Sequence, residues 1–236
     1  MRAVIRNEVV LASCLRHRLR INLGLSMSSD SLYDCLACAP QLLGMLEQYP
    51  QLTDLWQNLP RQSYAANQTV LRPGQLSDRC WFVVSGLLLV GHLSEQGLER
   101  TAAFHAEGNW VGWGPPPYAV SSAVGIVTLE PTVLLELRYE VLRHWQAELP
   151  VVQEILSDGI RAVLERSAQR EAELLLLDAG ERYRLFLQQR AALAPRIALQ
   201  HVASYLGITN VALSRIRSRM GLVQGRSKPS STAERS

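Results

Sequence analysis

The clearest hydrophobic pattern lies in residues 195–222, where an apolar stripe precedes Gly207 and apolar positions recur at spacings of three and four after it. Such spacing places apolar side chains on one face of a helix, so the segment predicts two short helices. Gly207 is placed to end the first helix, because glycine readily adopts the left-handed conformation found at helix C-termini. Thr209 is placed to cap the second helix through its hydroxyl. The inward positions are Ile197, Val202 and Leu206 in the first helix and Leu213, Ile216 and Met220 in the second.

The opposite face of the second predicted helix is mostly polar and basic. Its positions are Asn210, Val211, Ser214, Arg215 and Ser218. The alternative interpretation is a helical hairpin buried in a core, but such a hairpin would be apolar on both faces. A polar and basic face is typical of a helix that enters the major groove of DNA. The segment therefore predicts a DNA-binding helix-turn-helix.

A different period governs the middle of the chain, where short runs rich in β-formers replace the helical spacing. These runs cover residues 69–71, 81–84, 87–90, 126–129 and 133–135. They are separated by turn signals at Pro73-Gly74, Ser85-Gly86, Gly97, Gly108 and Gly112. Several short strands with glycine turns predict a small antiparallel barrel or roll. A barrel of this kind has an interior that can hold one small ligand.

Helical patterns flank this β-rich region on both sides. Before it, residues 30–60 predict short helices with breaks at Pro50 and Pro60. After it, residues 139–149 predict a helix that ends at Pro150, and a longer helix follows over 151–177. One stripe of the longer helix consists of Val152, Leu156, Ile160, Val163 and Ser167. A narrow apolar stripe on a connecting helix favours pairing with a second copy, although an intrachain connector is the alternative.

Composition and charge describe a two-domain protein with one basic end. The 236 residues are 47% hydrophobic, and no apolar run approaches the ~18 residues that span a bilayer. Charged residues interrupt the N-terminal segment, which argues against a secretory signal and for a cytoplasmic location, and Met27 is an alternative start. Residues 1–28 carry a net charge of +4, residues 29–180 of −9 and residues 181–236 of +8. The basic end suits contacts with phosphates.

The order roll, long helix and helix-turn-helix resembles the CRP/FNR family of bacterial transcription regulators. The resemblance covers roughly residues 40–222 and is carried by residues 72–74, 81–86, 107–112, 181–187 and 197–217. It implies an α+β fold with an N-terminal antiparallel β-roll of the cyclic-nucleotide-binding type, a long dimerisation helix and a winged helix-turn-helix. It also implies a homodimer that binds a palindromic promoter site in double-stranded DNA and contacts RNA polymerase. No nucleophile–base pair or metal cluster stands out, so the chain is not expected to be an enzyme.

The domains predicted from the pattern and the resemblance follow these elements. They are an N-terminal extension (1–28), a sensor roll with leading helices (29–140), a connecting and dimerisation helix (141–177), a winged helix-turn-helix domain (178–225) and a disordered tail (226–236). Asp178 is predicted to cap the first helix of the DNA-binding domain. A rival interpretation is a ligand-binding sensory module whose helix-turn-helix contacts proteins instead of DNA.

The resemblance assigns base reading to Val211, Ser214 and Arg215. Arg215 can reach guanine O6 and N7 with its fork, and Ser214 can bind a phosphate or a base edge. Val211 departs from the glutamate that many members carry, and can only contact a thymine methyl. The remaining predicted DNA-binding residues are Thr209, Asn210, Arg217 and Arg219, with the two arginines on phosphates.

The effector is left open by the sequence. The predicted effector pocket consists of Gly112, Trp113, Ser121 and Ser122, which stand where cyclic-nucleotide binders of the family have a Gly-Glu step and an Arg-Ser-Ala. Both the glutamate and the arginine are missing, which argues against cyclic AMP, because a phosphate then loses its charge-assisted partner.

Metal cofactors have weak support. An iron–sulfur cluster could use Cys14, Cys35, Cys38 and Cys80, but Leu135 stands at the place of the family's fourth ligand, and packing thiols are the alternative. Haem could use His92 or His105, although the histidines show no ligand spacing.

Overall fold

The computed structural model describes residues 49–93 and 99–222, and the chain divides into two compact units, Met1–Arg161 and Ala162–Ser236. Within the described residues, the first unit begins with helix α1 (Pro50–Gln57). Its first turn contains Pro50, whose missing backbone N–H costs no hydrogen bond at that position. Its strands are β1 (Arg61–Tyr64), β2 (Thr69–Leu71), β3 (Leu76–Ser77), β4 (Arg79–Ser85), β5 (Leu87–Leu93), β6 (Glu99–Ala106), β7 (Trp110–Val111), β8 (Val120–Ser121), β9 (Gly125–Thr128) and β10 (Thr132–Arg138). The helices α2 (Tyr139–Glu148) and α3 (Pro150–Leu176) follow.

The strands form three antiparallel sheets. Their orders are β1-β10-β4-β7, β2-β9-β5-β6 and β3-β8. The predicted antiparallel β-roll is therefore confirmed, including all five predicted runs. Strands β1 and β6 were not predicted, because Arg61–Tyr64 is polar and Glu99–Ala106 contains three alanines and begins with two charged residues, which are uncommon in strands.

Alternate residues of β4 face two different cores. Trp81 and Val83 point between the two large sheets, and Cys80 and Phe82 point to the outer face. The core between the sheets is filled by side chains from both of them, namely Leu71, Trp81, Val83, Leu88, Val90, Val111, Val124, Ile126 and Leu134. The expectation of an interior that can hold a small ligand is not supported in this part of the roll, because the space is taken up by the protein's own side chains.

The outer face of the β4–β10 sheet is covered by helices. Trp56 of α1 packs edge-on against Phe82, with ring centroids 4.8 Å apart, and Trp145 of α2 joins the same cluster. Val152, at the start of α3, is buried in this cluster and Leu156 packs against it. The prediction that both residues belong to a pairing stripe is therefore wrong for this first part of α3, where the apolar side chains stabilise their own chain.

The second unit contains the end of α3, helix α4 (Ala179–Gln189), a 3₁₀ turn (Ala194–Arg196), helix α5 (Leu199–Leu206) and helix α6 (Asn210–Arg219). Its core comprises Tyr183, Phe186, Ile197, Val202, Ala203, Leu206 and Leu213. Ile197 is buried as predicted, but it precedes α5 instead of lying on it, because the chain is extended there after the 3₁₀ turn. The described residues 162–222 contain no strand, so the predicted wing stays a prediction.

Several sequence-based expectations lie outside the described residues. They concern residues 1–48, including Cys14, Cys35 and Cys38, together with Gly97 and the tail 226–236. Gly112 is described, but it is not a turn glycine with a positive φ. It lies beside Cys80, whose Cβ would be 3.2 Å from a Cβ added at Gly112, so it permits a close approach to β4. In the described part of the chain, no helix is long and apolar enough to cross a membrane.

Candidate nucleic-acid interface and sensor segment

The turn between α5 and α6 is built by the two residues that the sequence singled out. Gly207 ends α5 in the left-handed conformation, with φ of 72°, and the amide of Ile208 donates to the carbonyl of Ala203. Thr209 then caps α6, because its hydroxyl accepts a hydrogen bond of 3.2 Å from the amide of Ala212. Both predictions are confirmed. The turn fixes where α6 begins and therefore which of its side chains point outward.

Helix α6 has one anchored face and one open face. Leu213 is 1% exposed and anchors the helix, with Ile216 and Met220 half-buried beside it. The open face consists of Asn210, Val211, Ser214, Arg215, Ser218 and Arg219, all of them exposed. Val211 is 61% exposed although it is apolar. Because α6 contains three arginines and no acidic residue, this open face is available to a negatively charged partner.

Arg217 differs from the other arginines of α6. It is half-buried, and its Nη1 donates a hydrogen bond of 2.6 Å to the Tyr183 hydroxyl, which belongs to α4. Tyr183 is itself buried in the core of the unit. The structure therefore uses Arg217 to connect α6 to α4. The predicted phosphate contacts of Arg217 and Arg219 stay a prediction, and of the two side chains Arg219 is the more exposed.

The first turn of α4 is stabilised as the sequence predicted. The Asp178 carboxylate accepts a hydrogen bond of 2.8 Å from the amide of Glu181, and the Glu181 carboxylate accepts one of 2.8 Å from the amide of Asp178. The hydrogen bond from the Glu181 amide, aided by the nearby positive charge of Arg184, holds the pKa of Asp178 below its ordinary value. This reciprocal cap defines where α4 begins.

The end of α3 is attached to α5 by one arginine. The Arg170 guanidinium lies 4.0 Å above the centre of the Tyr205 ring and also donates to the Tyr205 carbonyl. That carbonyl belongs to the last turn of α5, where carbonyl groups lack partners within the helix. Glu173 accepts a hydrogen bond of 3.3 Å from Arg170 and holds the guanidinium from the other side. The contact thus combines a cation–π interaction with a C-terminal cap.

The predicted effector residues lie between β7 and β9, and most of their polar groups have partners. Ser122 is 3% exposed, and its hydroxyl donates 2.8 Å to the Val124 carbonyl while accepting from the Val124 amide. Ser121 donates 3.2 Å to the carbonyl of Gly74. The Trp113 carbonyl accepts a hydrogen bond of 2.9 Å from the buried Ser77 hydroxyl. These contacts hold the segment in place, and the Ser122 hydroxyl has already given its one donor to the Val124 carbonyl.

A model of the cyclic nucleotide-binding domain family matches residues 61–148, from β1 to the end of α2. Among curated proteins, none matches the chain.

Solved structures show the same fold over most of the chain. FixK2 from Bradyrhizobium japonicum is 19% identical, with a TM-score of 0.64, over 72% of this chain and 89% of that one. CLP from Xanthomonas campestris, a c-di-GMP-responsive global regulator, is 20% identical, with a TM-score of 0.63, over 76% and 96%. A mutant of CooA from Carboxydothermus hydrogenoformans is 18% identical, with a TM-score of 0.57, over 74% and 83%. The predicted resemblance to CRP/FNR regulators is confirmed at the level of the fold, and none of these proteins is described as an enzyme.

Within this cyclic nucleotide-binding domain, the segment 112–119 contains bends and turns and no helix. It therefore presents no helix N-terminus, which is a common way to bind a phosphate group. The segment also lacks a cationic side chain. The segment itself therefore offers a phosphate neither a cationic side chain nor a helix N-terminus, and the effector stays an open prediction.

The described cysteine of the domain is a packing thiol. Cys80 lies in the outer core, and burial raises the pKa of its thiol to about 12. Burial among apolar side chains fits the interpretation of Cys80 as a packing thiol, and the iron–sulfur hypothesis stays a prediction. Leu135, at the place of the family's fourth ligand, is buried in the same core. Among residues 49–93 and 99–222, no group of three His, Cys, Asp or Glu side chains is arranged to hold a metal ion.

The two histidines considered for haem lie on neighbouring strands. His92 is exposed at the end of β5, with its ring 6.2 Å from that of Trp113, and His105 lies on β6 opposite Leu88. His92 pairs in register with Arg100, so the two histidines stand at different levels of the sheet. Neither position tests whether haem binds, and the haem hypothesis stays a prediction.

A buried ionic network in the domain was missed by sequence reasoning. Glu136 on β10 is 6% exposed, and its carboxylate accepts hydrogen bonds of 3.0 Å from Arg79 and 2.9 Å from Gln62. Asp78 binds the same arginine at 2.7 Å, and this hydrogen bond lowers the pKa of Asp78. The signal was present in the sequence as one carboxylate within the apolar run from Val133 to Leu137. Such a network satisfies its own charges and therefore serves the fold.

Proposed function

We propose that the chain is a sequence-specific DNA-binding transcription regulator that acts in the cytoplasm as a homodimer, with its β-roll controlling the posture of a winged helix-turn-helix. The observation that carries this proposal is the open face of α6, where Ser214, Arg215 and their neighbours are exposed while Leu213 anchors the helix. The major groove admits an α-helix presented in this way.

The chemistry of the open face fits base reading. Arg215 carries a planar fork that can donate two hydrogen bonds to guanine O6 and N7. Ser214 lies one residue before it on the same face and can bind a phosphate oxygen or a base edge. Val211, one turn earlier, presents methyl groups that can contact a thymine methyl. The expected half-site therefore contains a guanine and, close to it, a thymine.

The proposed dimer uses the part of α3 that its own chain leaves uncovered. Ile160 is 38% exposed, Val163 is 53% exposed, and Leu164 is also exposed. Ile160 and Val163 follow the three- and four-residue spacing of a helix that pairs with a parallel copy. Two copies would present two α6 helices to a palindromic site, and RNA polymerase is the partner through which such a regulator would act.

The proposal is tested by selecting bound DNA from a random pool and comparing the protein with two variants. Arg215→Ala is expected to relax the preference at one base pair in each half-site, at a cost of ~1–3 kcal/mol. Arg72→Ala is the matched control, because Arg72 is an exposed arginine of the roll. Binding should weaken steeply with salt. A protein that selects no sequence would favour the rival function, in which the helix pair contacts another protein.

A further inference from the structure

A groove with a volume of about 460 Å³ runs along α6 on the side of α4. Its charged lining comes from both helices and consists of Asp178, Arg184, Arg215 and Arg219. Three guanidinium groups face one carboxylate, so the groove is positively charged. Two of the arginines belong to the helix that presents the proposed base-reading face, whereas Arg184 belongs to α4 and has no role in base reading.

The side chain of Arg184 is directed back over the first turn of α4. One of its terminal nitrogens lies 3.9 Å from the position that a Cβ would take at Gly180. Its charge also contributes to the lowered pKa of Asp178, which places it close to that carboxylate. Gly180 lines the same groove. The Arg184 guanidinium therefore lies within van der Waals distance of the Gly180 position, beside the groove.

An anion in this groove would be attracted by the arginine side chains and not by the N-terminus of α4. The capping carboxylate of Asp178 already accepts the hydrogen bond from the Glu181 amide in the first turn of α4. Arg184, Arg215 and Arg219 are all exposed, so an anion can approach them from solvent. Three guanidinium groups and one carboxylate give the lining an excess of positive charge. A bound phosphodiester carries a single negative charge, so the groove would not become negatively charged.

We propose that this groove binds a backbone phosphate of the DNA, with Arg184 as a contact from α4 that positions α6 in the major groove. The proposal rests on the DNA-binding function proposed above. A helix with its side chains is about 10–12 Å across, and the major groove is about 12 Å wide, so the flanks of an inserted helix meet the phosphates at the groove edge. Arg184, on α4, lines the same groove as Arg215 and Arg219 on the flank of α6.

The test is the salt dependence of binding to one selected duplex and to one mixed-sequence duplex, measured for the protein and its variants. Arg184→Ala is expected to reduce the slope of log K against log[salt] by about 0.9, since one phosphate contact is lost. Affinity for both duplexes should fall by the same factor, and the selected sequence should not change. Arg184→Lys is expected to retain the slope because it keeps the charge, and Arg72→Ala is the control for the loss of one positive charge elsewhere.

The outcomes separate this inference from the proposed function. If the unchanged protein binds its selected duplex and Arg184→Ala keeps both the affinity and the slope, Arg184 makes no phosphate contact and the inference is overturned, while the proposed function stands. If Arg184→Ala alters the selected sequence, Arg184 reads bases, and the inference is again wrong. If the unchanged protein shows no salt-dependent binding to any duplex, the proposed function fails first. Thermal unfolding of the exposed Arg184→Ala variant should match that of the unchanged protein.

Discussion

The two units differ in whether their polar side chains are buried and bound within the chain or exposed to solvent. In the roll, the Ser122 hydroxyl and the Glu136 carboxylate are buried and bound to neighbours of their own chain. On α6, Ser214 and Arg215 are exposed on a face that the core does not use. Polar groups that already have good partners gain little by binding a ligand, whereas exposed donors on a fixed helix can bind one without losing internal contacts. The comparison is consistent with the proposed binding surface on the basic unit, and the predicted effector residues of the roll stay a prediction.

The largest expected effect comes from breaking the buried ionic network around Glu136. Glu136→Ala removes the carboxylate that accepts from Arg79 and Gln62, so the arginine loses a buried partner. Arg79 keeps Asp78 as a partner, so the loss of these hydrogen bonds should cost about 1–3 kcal/mol in the free energy of unfolding measured with urea. Glu140→Ala is the control, because Glu140 is exposed and its change should stay within about 0.5 kcal/mol. Equal stabilities of the two variants would mean that the network contributes nothing.

The next effect concerns the uncovered stripe of α3. Ile160→Glu places a charge on the exposed apolar stripe and should weaken self-association at least tenfold, which corresponds to ~1.4 kcal/mol. The fold of each chain should be retained, because Ile160 lies outside the core clusters that the structure describes. Sedimentation over a range of concentrations measures the change, and Ile160→Leu should keep the dimer. A full dimer in the glutamate variant would show that α3 does not form the pairing surface.

Local signals were predicted well from the sequence. The helix ends at Gly207, Thr209 and Asp178 each depend on residues within a few positions, so composition and spacing are sufficient to place them. The antiparallel roll was predicted for the same reason, since its strands are short and separated by glycine turns. The exposed face of α6 followed from the helical period once Leu213 was assigned to the core.

Contacts between distant residues could not be predicted in this way. Gln62 and Glu136 are 74 positions apart, and Tyr183 and Arg217 are 34 apart, so no local pattern relates them. The predicted phosphate contact of Arg217 remains untested, but its hydrogen bond to Tyr183 depends on the register of α4 against α6 and has no signal in the local sequence. Val152 illustrates the same difficulty, since its spacing fits a pairing stripe while the fold buries it under α1 and α2.

A smaller effect tests how the open face is positioned. Thr209→Ala removes the hydroxyl that accepts from the Ala212 amide and should lower the stability of the second unit by about 0.5–2 kcal/mol. DNA binding should weaken in parallel, because the first turn of α6 carries Asn210 and Val211. Thr209→Ser should restore both properties, since serine offers the same acceptor. Loss of binding without loss of stability would instead indicate that the Thr209 hydroxyl contacts DNA directly.

The smallest expected effect is the absence of a response to cyclic AMP. The Ser122 hydroxyl is engaged with Val124, and the segment 112–119 has neither a cation nor a helix N-terminus for the phosphate. Calorimetric titration with cyclic AMP should therefore give no heat of binding at micromolar concentrations, and the nucleotide should leave the affinity for the selected duplex unchanged. Val120→Arg adds a cation on strand β8 directly before the two serines. We expect no heat of binding from this variant either, because the Ser122 hydroxyl would still be hydrogen-bonded to Val124. Micromolar binding by the unchanged protein would show that backbone donors replace the missing arginine, and the roll would then be as open to a ligand as the surface of α6.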